Sequence, residues 1–187
     1  LIAHYRDRGN VRVELWKIGG ESASGERETL AGSDRSVAPD GVERTVKLPV
    51  AQPGLYKAVV QDGGDRTQVA WPAGQRMTIV SAADAPMNES YSSWMLYFYV
   101  PKGTKVVGLH GGGHGEVHDS AGRPLFWLNG KEPGYYSVEV PQGQDGRLWR
   151  IRYGRGAVRL LTVPPSLARN AEELLLPKEV VVADGKR

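Results

Sequence analysis

The residues best suited to metal chemistry lie together at positions 110–119, in the sequence His-Gly-Gly-Gly-His-Gly-Glu-Val-His-Asp. Imidazoles and carboxylates bind zinc and iron, so His110, His114 and His118 with Glu116 or Asp119 would supply enough ligands for one ion. Carboxylates and loop carbonyls would also suit calcium. The glycines argue against a metal site, because they disfavour a helix and a flexible loop holds ligands poorly. We therefore interpret the segment as a solvated glycine hairpin or edge loop, with zinc or calcium binding as the alternative.

Motifs of catalysis are missing from the sequence. It contains no Gly-x-Ser-x-Gly elbow, no phosphate-binding loop and no His-Glu-x-x-His helix. A pair of glycosidase carboxylates brought together from distant strands stays open. We predict that the chain is not an enzyme. A metal-dependent enzyme that uses the histidine segment is the alternative.

Exposed aromatic side chains are the better candidates for a binding site, because sugar rings present apolar faces that stack on Trp and Tyr. Trp127 and Tyr135 flank a turn at 129–134, and we predict that they form a sugar platform. Trp16 shares a strand face with Arg12 and Glu14, and this polar face makes it a third candidate. For each of these aromatics the alternative is burial in the core.

The charge of the chain is mildly basic, with a net charge of +3. This balance permits an anionic partner without requiring one. We predict no nucleic-acid binding, since no recognition helix, finger or aromatic sheet motif accompanies the basic residues. We also predict no membrane insertion, because no window approaches about 20 consecutive apolar residues. Five arginines fall close together in the second half: Arg147, Arg150, Arg152, Arg155 and Arg159.

Period-two alternation in the 147–153 strand separates two faces. Trp149, Ile151 and Tyr153 share one face, which we predict to be buried. Arg150 and Arg152 share the other face. Guanidinium groups pair well with carboxylates and sulfates, so these two arginines are candidates for docking a uronate or a sulfated sugar. The alternative is a solvated sheet face.

Composition favours short strands over long helices. The chain has 187 residues with 24 Gly, 12 Pro and no Cys, and this share of Gly and Pro is typical of many strands joined by turns. The absence of Cys excludes a disulfide scaffold, thiol catalysis and Cys-based zinc sites. We predict an all-β protein built as a β-sandwich.

Strand patterns divide the chain into two halves. The first half has candidate strands at 11–18, 43–50, 55–61, 67–71 and 77–81, and a polar stretch at 19–41 that we expect to be a long loop with at most a short strand. Small and polar residues at 82–90 predict a linker. The second half has candidate strands at 94–100, 104–109, 116–119, 125–128, 135–140, 147–153, 157–163 and 179–182. A short helix is predicted near 165–174, after two prolines.

Two resemblances support this division. Gln-Pro-Gly-Leu-Tyr at 52–56 resembles the start of a strand in immunoglobulin-like and fibronectin-like bacterial domains, where the Tyr bonds back to the backbone. The stretches Leu-Tyr-Phe-Tyr-Val-Pro-Lys-Gly-Thr-Lys at 96–105, Val-His-Asp-Ser-Ala-Gly-Arg-Pro at 117–124 and Tyr-Ser-Val-Glu-Val-Pro at 136–141 resemble pre-peptidase C-terminal and carbohydrate-binding-module-like β-sandwiches. Those domains are attached to secreted bacterial hydrolases. The resemblance covers about residues 93–163.

The sequence therefore predicts an immunoglobulin-like sandwich at 1–86 followed by a jelly-roll-like sandwich at 88–187. The predicted function is that of a non-catalytic accessory module of a secreted, cell-surface or periplasmic bacterial protein that binds polysaccharide. Because the chain opens without a start methionine, we expect it to be part of a longer parent protein whose neighbouring domains are also partners. The alternative is a structural or docking domain with no free ligand.

Overall fold

The fold is all-β, as predicted, in a computed structural model that describes residues 1–22 and 25–185. The chain forms two compact units, Leu1–Ala73 and Gly74–Arg187. The described part contains antiparallel sheets and one short α-helix. No helix in this part is long and apolar enough to cross a membrane.

The strands of the first unit are β1 Val11–Ser22, β2 Gly25–Val37 and β3 Tyr56–Gln61. The second unit contains β4 Ile79–Val80, β5 Met87–Val100, β6 Val106–Gly111, β7 His114–His118, β8 Pro124–Asn129, β9 Gly134–Glu139, β10 Arg147–Leu160 and β11 Ser166–Leu167. It ends with the helix α1 Lys178–Asp184.

The first unit is a three-stranded antiparallel sheet in the order β2-β1-β3. The prediction of a long loop at 19–41 is wrong, because β2 pairs with β1 from Ser22↔Gly25 to Val11↔Val37. The strand escaped detection because it lies at the edge of the sheet, where its described side chains, at 28–37, are mostly exposed and polar residues suffice. Within its described residues, Val37 joins the buried core.

The corner before β3 has the contact that the immunoglobulin-like resemblance implies. Tyr56 Oη donates a hydrogen bond of 2.7 Å to the carbonyl oxygen of Gln52, four residues earlier. The same Pro-Gly-x-Tyr pattern recurs in the second unit, where Tyr136 Oη donates to the carbonyl oxygen of Glu132 at 3.2 Å. In both cases the tyrosine ties the turn to the strand that follows it.

The second unit begins before the linker predicted at 82–90. Ser81 is fully buried, and its Oγ donates a 2.7 Å hydrogen bond to the carbonyl oxygen of Val158 in β10. The division between the units thus falls between Ala73 and Gly74. The immunoglobulin-like and jelly-roll-like assignments of the two units stay predictions.

Two predicted elements near the C-terminus are wrong. Where a helix was predicted at 165–174, Ser166 and Leu167 pair with β4, and this pairing uses the backbone groups that a helix would need. Where a strand was predicted at 179–182, the chain forms α1. The apolar run Val180-Val181-Val182 favours a strand by local propensity, but anchoring of the helix end through Asp184 overrides that preference.

The second unit is organised around β10. Along one side β10 pairs with β5, and along the other it pairs first with β7 and then with β6. From Arg150 to Leu160, the partners of β10 run backwards from His118 in β7 to Leu109 in β6. β6 and β7 therefore lie end to end along β10, both antiparallel to it, and together form one strand path. Strands β8 and β9 extend this path on its far side, pairing with β7 and β6 respectively. The sheet is therefore four strands wide. Two of its strand paths are divided, one into β6 and β7 and the other into β8 and β9, and the register of β10 shifts near its middle.

We interpret this irregular region as a bend that folds the sheet over its own core, from three observations. Tyr153 has φ 53, Gly156 has φ 89, and the register of β10 shifts on both sides of Gly154. Residues from both halves of the bent sheet meet in one cluster, among them Phe98, Trp149, Ile151, Leu109 and Val158. Bent strands that pass between two packed layers are typical of sandwich-like β folds.

Candidate functional site

The glycine-rich segment is the point where the strand path through β6 and β7 bends against β10. A Cβ on Gly111 would lie 2.5 Å from the carbonyl oxygen of Ala157, and one on Gly113 would collide with the carbonyl oxygen of Arg155. A side chain at either position would push the two backbones apart. The expectation of a solvated loop is therefore wrong, because these glycines are required by close packing.

The three histidines of this segment contact different residues. His118 is buried, with Nε2 2.8 Å from Glu116 Oε2 and Nδ1 2.9 Å from the carbonyl oxygen of Gly122, so each ring nitrogen faces an acceptor. Arg159 Nη1 donates to His110 Nδ1 at 2.9 Å. Since a guanidinium has no lone pair to accept with, the proton of His110 lies on Nε2. His114 is exposed, and its ring lies against Gly130.

The carboxylate of Asp119 is engaged in the hydrogen bonds of a tight turn. Its carboxylate accepts hydrogen bonds from the backbone N–H of Ala121 and Arg123 and from Arg123 Nε at 2.7 Å. Burial by itself raises the pKa of Asp119, but these hydrogen bonds and the charge of Arg123 together hold it below its ordinary value. Across the described residues, no group of three or more His, Cys, Asp or Glu side chains could hold a metal ion.

Trp127 lies on the outer face of the sheet, the side that points away from the core. It is 55% exposed and pairs across the strands with Glu116, which in turn pairs with Arg152. These three residues form what we name the Trp127 row. Arg152 Nη2 donates to Tyr153 Oη at 3.1 Å, and its guanidinium carbon lies 4.9 Å from the Tyr153 ring centroid. The row thus presents an aromatic ring and a guanidinium on one surface.

A second row crosses the other half of the sheet. Tyr135 pairs with His110, which pairs with Arg159, and we name these residues the Tyr135 row. Tyr135 is 81% exposed, and its ring meets the His110 ring edge-on with 4.6 Å between centroids. The same imidazole accepts from Arg159. His110 therefore fixes both the exposed ring and the guanidinium.

Trp127 and Tyr135 lie in different rows. Their partners Glu116 and His110 are six positions apart in the chain, on either side of the glycine segment. The structure thus places one exposed aromatic ring in each row, and a single sugar platform formed by both rings stays a prediction.

The remaining predicted residues lie elsewhere. Arg150 is half-buried, its Nε is inaccessible to solvent, and its Nη2 lies 2.9 Å from the Cβ position of Gly122. Trp16 belongs to the first unit, where it is half-buried and donates from Nε1 to Glu14 Oε2 at 3.2 Å. Glu14 is also paired with Arg12.

Alternation alone missed one exposed aromatic residue. Trp149 and Ile151 are fully buried as predicted, but Tyr153 is 55% exposed. Its positive φ turns the side chain out of the two-residue period. The exposure of Tyr153 could have been recognised from Gly154 and Gly156, since glycines inside a strand mark bends and bulges that break the alternation.

Comparison with known protein families, with curated proteins and with solved structures gave no match to this chain. The resemblance to carbohydrate-binding and pre-peptidase C-terminal domains therefore stays a prediction. A function for the chain has to be argued from the geometry of its own surface.

Proposed function

We propose that the chain is a non-catalytic accessory module that binds polysaccharide through the exposed rings of Trp127 and Tyr135. The observation that carries the proposal is the exposure of both rings, 55% and 81%, on strands whose opposite face is packed core. Transfer of a large aromatic ring out of water is favourable, so such rings are usually buried. Rings that stay exposed on rigid strands can instead leave water by stacking on a sugar.

The strands on which these rings lie hold them in place. Leu128 precedes Asn129 at the end of β8 and is buried at 2% exposure, and Val138 in β9 is buried at 3%. These neighbours fix the backbone beneath Trp127 and Tyr135. A ring on a rigid strand loses little conformational entropy on binding, and this favours affinity for a ligand with few contacts.

Each ring has polar groups beside it that could bind sugar hydroxyls. Glu116 and Arg152 continue the Trp127 row, and His110 and Arg159 continue the Tyr135 row. Stacking on an apolar sugar face with hydrogen bonds at its rim is the usual chemistry of a glycan site. The proposed location is outside the cell or at its surface, where polysaccharides are found.

The proposal is tested by retention of the intact chain on insoluble polysaccharides and by affinity electrophoresis with soluble ones. Trp127→Ala and Tyr135→Ala should each weaken retention at least about ten-fold, because each removes a stacking surface. Tyr5→Ala is the matched control, since Tyr5 is also exposed, at 40%, but lies in the first unit. Absence of retention on every polymer, or equal loss in the control, would overturn the proposal and favour the docking domain without a free ligand.

A further inference from the structure

The arginines of β10 differ from other arginines of the chain in their partners. Arg8, Arg12, Arg44, Arg123 and Arg169 each form an ion pair with a carboxylate. Within the described residues, no ion pair involves an arginine of β10. On the outer face of the sheet, Arg152, Arg155 and Arg159 therefore have no ion-pairing carboxylate beside them to balance their charge.

Three of these guanidinium groups are held in place by neutral acceptors. Arg152 donates to Tyr153 Oη, Arg155 Nε donates to the carbonyl oxygen of Ser90 at 2.8 Å, and Arg159 Nε donates to the carbonyl oxygen of Ala83 at 3.1 Å. A guanidinium has five N–H donors, so each retains donors after these bonds are made. The groups are thus oriented in advance without being neutralised.

Their positions run along the two aromatic rows. Arg152 belongs to the Trp127 row, Arg159 belongs to the Tyr135 row, and Arg155 lies between them at the bend, opposite His114. The one carboxylate in these two rows, Glu116, is turned to His118 at 2.8 Å. The outer face therefore presents an oriented guanidinium two strands away from each exposed ring, across Glu116 in one row and across His110 in the other.

We infer that the ligand of this surface is an acidic polysaccharide, whose carboxylate or sulfate groups are bound by Arg152, Arg155 and Arg159. This inference rests on the proposed glycan-binding function and specifies its ligand class. Guanidinium forks match planar carboxylates and the oxygen edge of a sulfate, and bonds of this kind are stronger than those to neutral hydroxyls. A neutral glycan would leave these charges without a counterpart.

The test compares matched polymers that differ in charge alone. Binding of the intact chain to polygalacturonate is measured against the same polymer after full methyl esterification, and binding to dextran sulfate against dextran. We expect at least about ten-fold tighter binding to the acidic member of one pair, and the pair that responds identifies carboxylate or sulfate as the preferred group. Affinity should fall as salt concentration rises, because exposed charges are screened.

The variants separate specific contacts from net charge. Arg155→Gln with Arg159→Gln should lower affinity for the acidic polymer about ten-fold or more, and affinity for the neutral polymer by a clearly smaller factor, because only the acidic polymer loses charged contacts. Arg8→Gln with Lys178→Gln removes the same charge at other exposed positions and should have little effect. Arg159→Lys keeps the positive charge but loses the forked pair of donors. Its affinity for the acidic polymer should therefore lie between that of Arg159→Gln and that of the unsubstituted chain. Circular dichroism of each variant shows that it is folded.

The other outcomes are distinguishable. Equal affinity for both members of each pair would overturn the acidic-ligand inference but leave the proposed function, provided that Trp127→Ala still weakens binding. Equal loss in the variant pair and in its control, or equally tight binding of a duplex oligonucleotide, would show general attraction of polyanions and overturn the inference. Absence of binding to all four polymers and to the insoluble set would overturn the proposed function itself.

Discussion

The backbone of Gly113 lies so close to the carbonyl oxygen of Arg155 that the position of a Cβ on Gly113 overlaps that oxygen. The contact joins the bend of the glycine segment to the bend of β10. Nearby, the indole ring of Trp94 lies against Gly154 in the same way. Glycine at these positions lets neighbouring strands bend together, and so brings the two halves of the second unit around one core.

Gly113→Ala should therefore destabilise the chain by about 3 kcal/mol, because the new methyl group forces the two backbones apart. Gly143→Ala is the control. It also adds one methyl group, in a turn with φ 74 and no atom near the new Cβ, and should cost about 1 kcal/mol from backbone strain alone. Urea denaturation followed by tryptophan fluorescence measures both. Equal effects of the two substitutions would show that the close approach does not limit the bend.

Tyr135→Ala should change the free energy of unfolding by less than about 0.5 kcal/mol, because the ring is 81% exposed and its loss removes little packing. Trp149→Ala should cost about 3–5 kcal/mol, since that side chain is fully buried against Phe98. Thermal unfolding of the two variants beside the unsubstituted chain gives the comparison. A large destabilisation by Tyr135→Ala would mean that Tyr135 is needed for the fold, and its exposure would no longer support a binding role.

The end of α1 is held by Tyr99, whose Oη donates a 2.7 Å hydrogen bond to Asp184 Oδ2. Burial of Tyr99, together with this carboxylate, raises its pKa far above the ordinary value near 10. Because the folded pKa exceeds the unfolded one, the stabilisation is complete below about pH 10 and is lost as pH rises from there toward the folded pKa.

Tyr99→Phe should therefore lower stability by about 1–3 kcal/mol at neutral pH, since it leaves the buried carboxylate with one hydrogen bond fewer. The difference between the two proteins should shrink as pH rises above about 10. Urea denaturation at pH 8 and at pH 11 provides the measurement. A difference that grows with pH would contradict the assigned hydrogen bond.

Asp119→Asn tests a pKa shift in the opposite direction, which stabilises the fold at high pH and not at low pH. The folded pKa of Asp119 lies below its ordinary value of 3.8, so its stabilisation is present above about pH 4 and is lost as pH falls through the folded pKa. The variant should be less stable at pH 7 by about 1–2 kcal/mol, because the charged hydrogen bonds to Arg123 become neutral ones. Thermal unfolding at pH 7 and at pH 2.5 should show the difference narrowing in acid. Asp7→Asn, with an exposed carboxylate, should show little difference at either pH.

Local patterns predicted much of the second unit. Trp149 and Ile151 alternate with charged residues, and this period of two determined correctly that they are buried. The residues Asp-Ser-Ala-Gly at 119–122 are typical of a turn, and Gly122 there has φ 82 and donates to the carbonyl oxygen of Asp119. Alternation and turn residues act over a few positions, so they can be recognised without knowledge of the partner strands.

Edge strands and the C-terminal segment gave no such signal. β2 is polar because its described side chains are mostly in solvent, and α1 is anchored by a contact between Asp184 and Tyr99. The first depends on pairing with β1, and the second on a residue 85 positions away in the chain. Local propensity therefore predicted a loop for the first and a strand for the second.

The candidate site divides in the same way. The sequence by itself determined that Trp127, Tyr135 and a run of arginines lie on strands of an all-β protein. Only the tertiary structure decided that the two rings lie on opposite sides of a bend, that Tyr153 is exposed, and that Arg155 and Arg159 join Arg152 on the outer face. The physical reason is that strand register and the bend are set by contacts across the sheet, such as that of Gly113 with Arg155, and no local pattern encodes which strands meet.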